Sequence, residues 1–459
     1  MGRARWYYTD STSRNKPPAD RTPAIDTSPI IIPRDQHNIS RANISEHALK
    51  VLYRLHKAGY EAYLVGGGVR DLLLGRHPKD FDIATDARPE EIRRLFRNCR
   101  LIGRRFRLAH IHFGREIIEV ATFRGQPQDE DGEEVANANG EGMLVRDNVY
   151  GDLESDAWRR DFTINALYYN IADFSVVDYT GGLEDLREGV LRMIGEPAVR
   201  FAEDPVRMLR AVRFAAKLEF RIPGELGAAI RAEAPRMGSV PPARLFDEVL
   251  KLFLSGHAQR TLELLREYQL FGHLFPLTEA LLEDNDPFAL PMIRQAMVNT
   301  DARIMADRPV TPYFLYAVLL WPPVREAAAR YREEGHSALQ AMHHAADEVL
   351  AHQRDHITIP RRIQNPIKDI WFGQWRLENR RGKRPLVFVE HPRFRAAYDF
   401  LLLRCDVGEI DPEACQWWTE FQEKDDEGRR EMCSLLKRDR APRKRRRRRK
   451  PSGQATPAE

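Results

Sequence analysis

Cysteine is scarce in this chain, and long apolar runs are missing. Only 4 of the 459 residues are cysteine, too few and too far apart for a disulfide framework, and no Cys-x-x-Cys pair indicates a zinc site. We therefore expect Cys99, Cys405, Cys415 and Cys433 to be reduced and structural.

No stretch approaches the roughly 20 apolar residues that a transmembrane helix needs. The longest apolar run, Tyr313 to Trp321, is followed by two prolines and is typical of a buried helix. The first thirty residues hold charges, prolines and serines without an apolar segment, which predicts no secretory signal peptide. We expect a cytoplasmic protein of two or more domains, because 459 residues exceed what one hydrophobic core accommodates.

Positive charge is concentrated near one end of the chain. The formal net charge is +4, yet residues 443–450 are an unbroken run of eight cations. Such a run predicts a polyanionic partner, because cations that bind phosphates release condensed counterions. RNA, DNA and an anionic membrane surface all qualify, and a solvated tail without a partner is the alternative.

The predicted elements divide the chain into an α/β part and an all-α part. Alternating and helical patterns in the first part predict a small mixed β-sheet with helices, in this order: helix 46–58 capped by Ser45, strand Ala62 to Val65, helix Val69 to Leu74, strand Asp80 to Ala84, a helix from Pro89, and strands Ala109 to Phe113 and Ile117 to Phe123. A polar loop follows at Gln126 to Glu141, and from Glu184 the pattern is helical. We predict five regions: a disordered extension (1–40), an α/β head (41–183), a helical neck (184–275), a helical body (276–424) and a disordered tail, polar and then arginine-rich (425–459).

Two carboxylates two residues apart are the most informative pair in the sequence. On a strand, Asp80 and Asp82 of KDFDIAT would project from the same face, while Phe81 and Ile83 would pack on the other. Like charges held so close are unfavourable without a cation, and hard oxygen ligands suit Mg2+. Chance placement on an exposed strand is the alternative, because Asp-x-Asp is common.

A glycine-rich segment precedes this pair. Gly66, Gly67 and Gly68 join a strand to a helix start, where free backbone N–H groups can cradle a phosphate. A tight turn that needs glycine is the simpler explanation. Arg70 could add a phosphate-binding charge, or it could pair with Asp71 or Asp82.

Four sequence blocks in register resemble one family. LVGGGVRDLLLG, KDFDIAT, RRDFTINAL and EDPVRMLRAVRFAAKL are similar to the class II nucleotidyltransferases, the family of bacterial poly(A) polymerases and CCA-adding enzymes. The blocks span roughly 160 residues. The resemblance implies an α/β nucleotidyltransferase head followed by all-α neck, body and leg domains.

The resemblance also implies a two-metal mechanism. Asp80 and Asp82 would hold two Mg2+ ions, with ATP as substrate, and Asp161 of RRDFT would be the third catalytic carboxylate. Glu119 competes with Asp161 as a metal ligand, because its strand could lie beside the Asp80 strand and project to the same side. For the nearby His110 and His112 we favour packing and hydrogen bonding over metal binding.

Arginines surround these motifs in the sequence. Arg159 and Arg160 precede a predicted helix start at Asp161 and suit triphosphate or ribose contacts, with surface pairs to Glu154 or Asp156 as the alternative. Further along, Asp204 is predicted to cap a helix that starts at Pro205, with Arg207, Arg210 and Arg213 on one face of it.

The resemblance gives the residues of this helix a role in nucleotide binding. It makes Asp204 and Arg207 a protein template for the base edge and places Arg210 beside them, whereas a solvated stripe is the alternative. A carboxylate and a guanidinium fit adenine and cytosine alike, so this pair does not separate ATP from CTP.

The segment from Leu101 to Arg124 resembles the stretch that separates poly(A) polymerases from CCA-adding enzymes. With the basic tail, it predicts template-independent addition of AMP to RNA 3′ ends. A CCA-adding enzyme and a non-catalytic RNA-binding adaptor are the alternatives.

Several partner predictions accompany this function. RNA 3′ ends are the expected partner, RNA-decay proteins are candidates, membrane contact by the tail is not expected, and we expect a monomer. Cations interleaved with aromatic residues from Trp371 to Arg395 suit single-stranded RNA, and helix packing explains Trp371, Phe372 and Trp375 equally well.

Overall fold

A mixed β-sheet forms the first part of the molecule. The structure is a computed structural model that describes residues 28–103, 107–125, 149–380 and 382–438. Eight strands are seen in these ranges: β1 Ile30–Ile32, β2 Ala62–Val65, β3 Asp82–Thr85, β4 Cys99–Ile102, β5 Leu108–Phe113, β6 Glu116–Thr122, β7 Leu167–Asn170 and β8 Val176–Asp178. Their order is β1-β8-β7-β2-β3-β6-β5-β4, and β3 and β6 are the parallel pair while the other neighbours are antiparallel.

Helices cover the two faces of the sheet unequally. The helices of this part are α1 Glu46–Lys57, α2 Gly67–Leu73, α3 Pro89–Leu95, α4 Leu153–Trp158 and α5 Gly182–Glu188. One face packs against α1, α2 and α3 through Leu64, Ile83, Ile111 and Val120, which belong to the main core. The other face carries a small cluster around Tyr168 that α4 covers. Asp82 shares this second face with Ala84, because side chains alternate along a strand.

The rest of the described chain is helical. The helices are α6 Pro197–Glu203, α7 Val206–Leu218, α8 Gly224–Glu233, α9 Pro242–Phe253, α10 Ala258–Glu267, α11 Phe271–Leu274, α12 Pro276–Glu283, α13 Ala289–Met305, α14 Pro312–Leu319, α15 Trp321–Glu333, α16 Ala338–Gln353, α17 Arg361–Glu378, α18 Arg384–Phe388, α19 Phe394–Asp406, α20 Pro412–Glu423 and α21 Asp426–Arg438. The main core runs without a break from the sheet to α19, and a second cluster joins α17 to α21. No helix of the described ranges has the length and apolar character needed to cross a bilayer.

The predicted fold class, a mixed-sheet head followed by helices, is confirmed. The longest apolar run is buried in α14 and at the start of α15, as predicted. The internal domain boundaries stay predictions. The polar loop at Gln126 to Glu141 lies outside the described residues.

The disordered ranges predicted at both ends of the chain include residues that form regular structure. Residues 28–40 are not disordered, because β1 pairs with β8 at the edge of the sheet. At the other end, α21 occupies residues that were assigned to the tail. Residues 1–27 and 439–459, the latter including the cationic run, lie outside the described residues.

Two local predictions were also wrong. No helix starts at Asp161; a short 3-10 turn, Thr163–Asn165, leads into β7 instead. Cys405 and Cys415 are not free thiols but form a disulfide. The prediction weighed their separation along the sequence, but α19 and α20 fold back on each other, so the two Cα atoms are 6.6 Å apart.

Candidate active site

The two strands that carry the candidate metal ligands lie side by side. The parallel pairing of β3 with β6 places Glu119 directly opposite Asp82, as the sequence predicted. On the other side of β3, Asp82 is opposite Val65 of β2, and Val65 is opposite Tyr168 of β7. Paired residues project to the same side of a sheet, so Asp82 and Glu119 share the face that α4 covers in part.

Asp80 lies just outside this sheet. The strand begins at Asp82 rather than at Asp80, so Asp80 belongs to the loop that enters β3. Its backbone passes close to the glycine segment, because a Cβ added to Gly68 would lie 3.6 Å from the Asp80 main-chain oxygen. The glycine segment and the carboxylates therefore meet at one end of β3.

The electrostatics of Asp82 indicate a site that favours a cation. Solvent reaches its side chain, but the surrounding protein still removes part of its hydration. This desolvation, together with the negative charges of Glu119 and Asp80, raises the pKa of Asp82 to about 6, although Arg160 opposes the shift. A bound cation would relieve the repulsion between these carboxylates.

The glycine segment forms the turn from β2 into α2. Gly66 precedes the helix with φ 71° and ψ −133°, a backbone conformation that residues with a Cβ atom rarely adopt. Gly67 and Gly68 are the first two residues of α2.

Arg70 turns inward from this helix. Its Nε and Nη2 donate to Asp71 at 2.8 and 2.7 Å, and its Nη1 donates to Asn165 at 2.7 Å. Pairing with Asp71 is therefore the observed contact, and phosphate binding by Arg70 stays a prediction.

A group of arginines, including Arg159 and Arg160, lies next to β7. The guanidinium of Arg160 donates to Asp156 and to the Tyr168 hydroxyl, both at 2.8 Å. Burial opposes the charged form of Arg160, but Tyr168 and Asp156 raise its pKa overall. The pairing with Asp156 is the alternative weighed for this residue, and it fixes the guanidinium near the Gly66 turn.

Arg159 lies in a strongly positive environment. Burial and the charges of Arg124, Arg200, Arg160 and Arg207 lower the pKa of Arg159 to about 10. Cations gathered so closely repel one another, and a polyphosphate would offset that repulsion. This cluster adjoins the carboxylates, because Arg160 acts electrostatically on Asp82.

The Asp161 side chain pairs with α7. One of its carboxylate oxygens accepts from the Phe162 N–H at 2.9 Å and from Asn165 at 3.2 Å, and the other pairs with Arg210 at 2.5 Å. Burial raises the pKa of Asp161, but Arg210 and these hydrogen bonds lower it overall. Asp161 thus links the sheet to α7, and Glu119 is the carboxylate that lies beside Asp82.

The predicted base template is held by other partners. The helix α7 is assigned from Val206, one residue later than predicted. The Asp204 carboxylate accepts a hydrogen bond from the Val206 N–H at 3.2 Å, as a capping side chain does. Both Asp204 oxygens also pair with Arg244 of α9, at 3.0 and 2.8 Å. Arg207 donates to the Arg200 carbonyl at 2.7 Å and pairs with Glu203.

The cationic face of α7 is not a solvated stripe. Arg210 pairs with Asp161, and the guanidiniums of Arg210 and Arg213 lie 5.2 and 5.3 Å from the Phe214 ring centre.

Two arginines of the site, Arg200 and Arg244, were missed in the sequence. Arg200 donates to the carbonyls of Arg159 and Arg160, which fixes the segment before Asp161. No spacing rule links these arginines, because they lie on separate helices.

The aromatic residues of α17 were predicted either to pack between helices or to contact RNA, and the structure differs between them. Trp371 is fully buried and donates to the Ala317 carbonyl at 3.0 Å, which is a packing role. Trp375 is half-buried, and the Arg384 guanidinium lies 5.4 Å from its ring centre. RNA contact is therefore a prediction for Trp375 rather than for Trp371.

The fold is shared with tRNA nucleotidyltransferases. The structure titled "Thermotoga maritima CCA-adding enzyme complexed with tRNA_CCA" matches 91% of this chain and 92% of its own chain, with a TM-score of 0.55 and 20% identity. At that identity the likeness concerns the fold alone. A CCA-adding enzyme of Lactobacillus helveticus is 36% identical over 49% of this chain and 53% of its own length.

Sequence comparison gives the family. The family model "Poly A polymerase head domain" matches residues 62–192, "Probable RNA and SrmB- binding site of polymerase A" matches 219–282, and "Polymerase A arginine-rich C-terminus" matches 334–452. Poly(A) polymerase I of Salmonella typhi is 52% identical over 91% of this chain and 90% of its own length. The chain belongs to the poly(A) polymerase family.

Proposed function

We propose that this chain adds AMP from ATP to RNA 3′ ends, without a template and with release of pyrophosphate. The observation that carries the proposal is the pair of carboxylates, Asp82 and Glu119, aligned beside an arginine cluster in a member of the poly(A) polymerase family. The 3′-hydroxyl oxygen forms a bond to the α-phosphorus, the bond from that phosphorus to the β-phosphate oxygen breaks, and the hydroxyl proton leaves to solvent.

The donor set fits magnesium in its chemistry. Asp80, Asp82 and Glu119 would supply hard oxygen ligands. Desolvation and the repulsion from Glu119 and Asp80 raise the pKa of Asp82, and a cation would relieve that repulsion. Within the described ranges, no three His, Cys, Asp or Glu side chains are gathered closely enough to hold a metal ion. When bound, Mg2+ would acidify the 3′-hydroxyl and neutralise charge on the departing pyrophosphate.

The arginine cluster would bind the triphosphate. Arg160 is oriented by Asp156 and Tyr168, so its position is set before a nucleotide arrives. Arg159 lies next to it, and three further guanidiniums, those of Arg124, Arg200 and Arg207, also act on Arg159. This charge distribution favours a polyphosphate. The backbone of Gly67 and Gly68 would approach the same phosphates from the other side of Asp80.

Base selection would involve α7 and its neighbours. Arg207 is held by Glu203 and the Arg200 carbonyl through one terminal nitrogen, so its other donors can reach a base. Asp204 would have to share its oxygens between Arg244 and the base, and Arg210 would act through Asp161 rather than by direct contact.

Incubation with each nucleoside triphosphate alone tests the proposed reaction. With purified protein, labelled RNA and Mg2+, we expect ATP to give long homopolymer extension and CTP to give little. If CTP and ATP together gave only a short addition to tRNA, the enzyme would be a CCA-adding enzyme. RNA binding without incorporation of any nucleotide would indicate an adaptor.

The cationic run should contribute RNA affinity rather than chemistry. Truncation after Pro442 should weaken RNA binding and flatten its salt dependence, while addition of the first nucleotide persists. Each lost phosphate contact should reduce the logarithmic salt slope by about 0.7 on single-stranded RNA. Titration of labelled RNA at several salt concentrations measures this slope.

A matched control removes only residues 451–459, which follow the cations. This shorter truncation should leave the salt slope unchanged. If both truncations gave the wild-type slope, the run would not bind RNA, and a protein or a membrane would be the better partner. Association with RNA-decay proteins and the monomeric state also stay predictions.

A further inference from the structure

A row of polar side chains crosses the sheet from its edge to Asp82. The antiparallel pairing of β5 with β6 places His110 directly opposite Glu119, and Glu119 is opposite Asp82. At the edge strand β4, Arg100 is opposite His110. Four adjacent strands thus present Arg100, His110, Glu119 and Asp82 on one face.

His110 is placed to act on Glu119. Its Nε2 atom lies 3.2 Å from Glu119 Oε1, and the His110 side chain is 16% exposed whereas the Glu119 side chain is 47% exposed. Nε2 is shielded from solvent, and among the described residues it makes no well-aligned hydrogen bond. A buried polar atom without a partner is costly, and the Glu119 carboxylate is an acceptor 3.2 Å from Nε2.

We propose that His110 is a positioning residue, which donates a hydrogen bond from Nε2 to Glu119 and holds that carboxylate toward Asp82. The proposal rests on the proposed function in one respect, that Glu119 is a metal ligand. A half-exposed glutamate has several rotamers, and a fixed donor selects one of them. Removal of such outer partners of metal ligands typically costs about 10- to 100-fold in metal affinity or activity.

His112 provides a matched control on the same strand. It projects from the same face, two residues further along β5, and its ring centre is 6.4 Å from that of His110. Its cross-strand partner is Ile117 rather than a carboxylate. A general effect of histidine loss on this strand would therefore appear in both positions.

The test compares four single variants and one double variant in two measurements. His110→Leu removes the donor, His110→Gln retains an N–H near the position of Nε2, and His112→Leu and Glu119→Gln serve as references. Mn2+ binding to the nucleotide-free protein reports the metal site directly by electron paramagnetic resonance. The Mg2+ dependence of AMP addition, with kcat and KM for ATP, reports its use in the reaction.

We expect His110→Leu to weaken Mn2+ binding and raise the half-saturating Mg2+ concentration by about tenfold, with KM for ATP nearly unchanged. His110→Gln should recover most of this loss, His112→Leu should stay within about twofold of wild type, and His110→Leu added to Glu119→Gln should cause little further loss.

Three results would overturn the positioning role. In the first, His110→Leu binds Mn2+ like wild type while Glu119→Gln does not, which leaves Glu119 as a ligand and refutes His110 alone. In the second, His110→Gln is as defective as His110→Leu and both lose thermal stability, which assigns His110 to packing. If Glu119→Gln itself behaved like wild type, the metal assignment in the proposed function would fail, and the role of His110 with it.

Discussion

Replacing Asp82 by asparagine should lower the rate of AMP addition by at least about a hundredfold. A metal ligand supports several kcal/mol of transition-state stabilisation, and each 1.4 kcal/mol corresponds to about a factor of ten in rate. Asparagine keeps the shape of the side chain but removes the charge that repels Glu119 and Asp80, so the folded state should be at least as stable. Single-nucleotide addition under saturating ATP and RNA measures the rate, and thermal unfolding measures the stability.

Asp80→Asn should behave like Asp82→Asn, because both remove one charged ligand. Glu46→Gln is a suitable control, because Glu46 lies on α1 of the same part of the molecule with a highly exposed side chain paired to Lys50. RNA affinity should be the same in all four proteins. Residual activity of Asp82→Asn above a tenth of wild type would exclude it as a metal ligand.

Replacing Asp161 by asparagine should destabilise the fold by about 2 kcal/mol. The substitution leaves Arg210 without its charged partner, and breaking a buried ion pair typically costs about 3 to 5 kcal/mol. We expect a loss below this range because the Arg210 side chain is 36% exposed, and solvent reduces the cost of leaving it unpaired. Chemical denaturation measures the loss, and adding Arg210→Leu should restore part of it by removing the unpaired cation.

The surface pair Arg260–Glu263 provides the comparison for this effect. Its side chains are 55% and 37% exposed, so Glu263→Gln should change the stability by no more than about 0.5 kcal/mol. If Asp161→Asn kept wild-type stability but lost metal binding, Asp161 would be a ligand, as the family resemblance implied, rather than a link between the sheet and α7.

The strand around Asp82, and the face on which its side chains lie, could be predicted because side chains alternate between neighbouring residues. KDFDIAT predicts carboxylates on one face and packed residues on the other, and the neighbouring strand with Glu119 follows the same rule. The boundary was wrong by two residues, so Asp80 lies in the entering loop. Strand ends are set by pairing with neighbours, and that information lies elsewhere in the chain.

Contacts between residues far apart in the sequence could not be predicted. Asp161 and Arg210 are 49 residues apart, and no periodicity indicates that they meet. The same holds for Asp204 and Arg244, which lie 40 residues apart. The sequence therefore identified the candidate residues but not the ion pairs that hold Asp161 and Asp204.

Short or turn-dependent features were missed for a different reason. β1 has three residues next to prolines, too few for a strand pattern, and it forms because the edge of β8 is available. The Cys405–Cys415 disulfide depends on how α19 and α20 turn back on each other, which spacing alone does not show.

Manganese binding to three carboxylate variants is the most direct test of the proposed metal site. Electron paramagnetic resonance would measure bound Mn2+ in the wild type, Asp82→Asn, Glu119→Gln and Asp161→Asn, at a temperature where all four remain folded. We predict that Asp82→Asn and Glu119→Gln lose high-affinity binding while Asp161→Asn retains it. Loss of binding in Asp161→Asn with wild-type binding in Glu119→Gln would contradict the site described above.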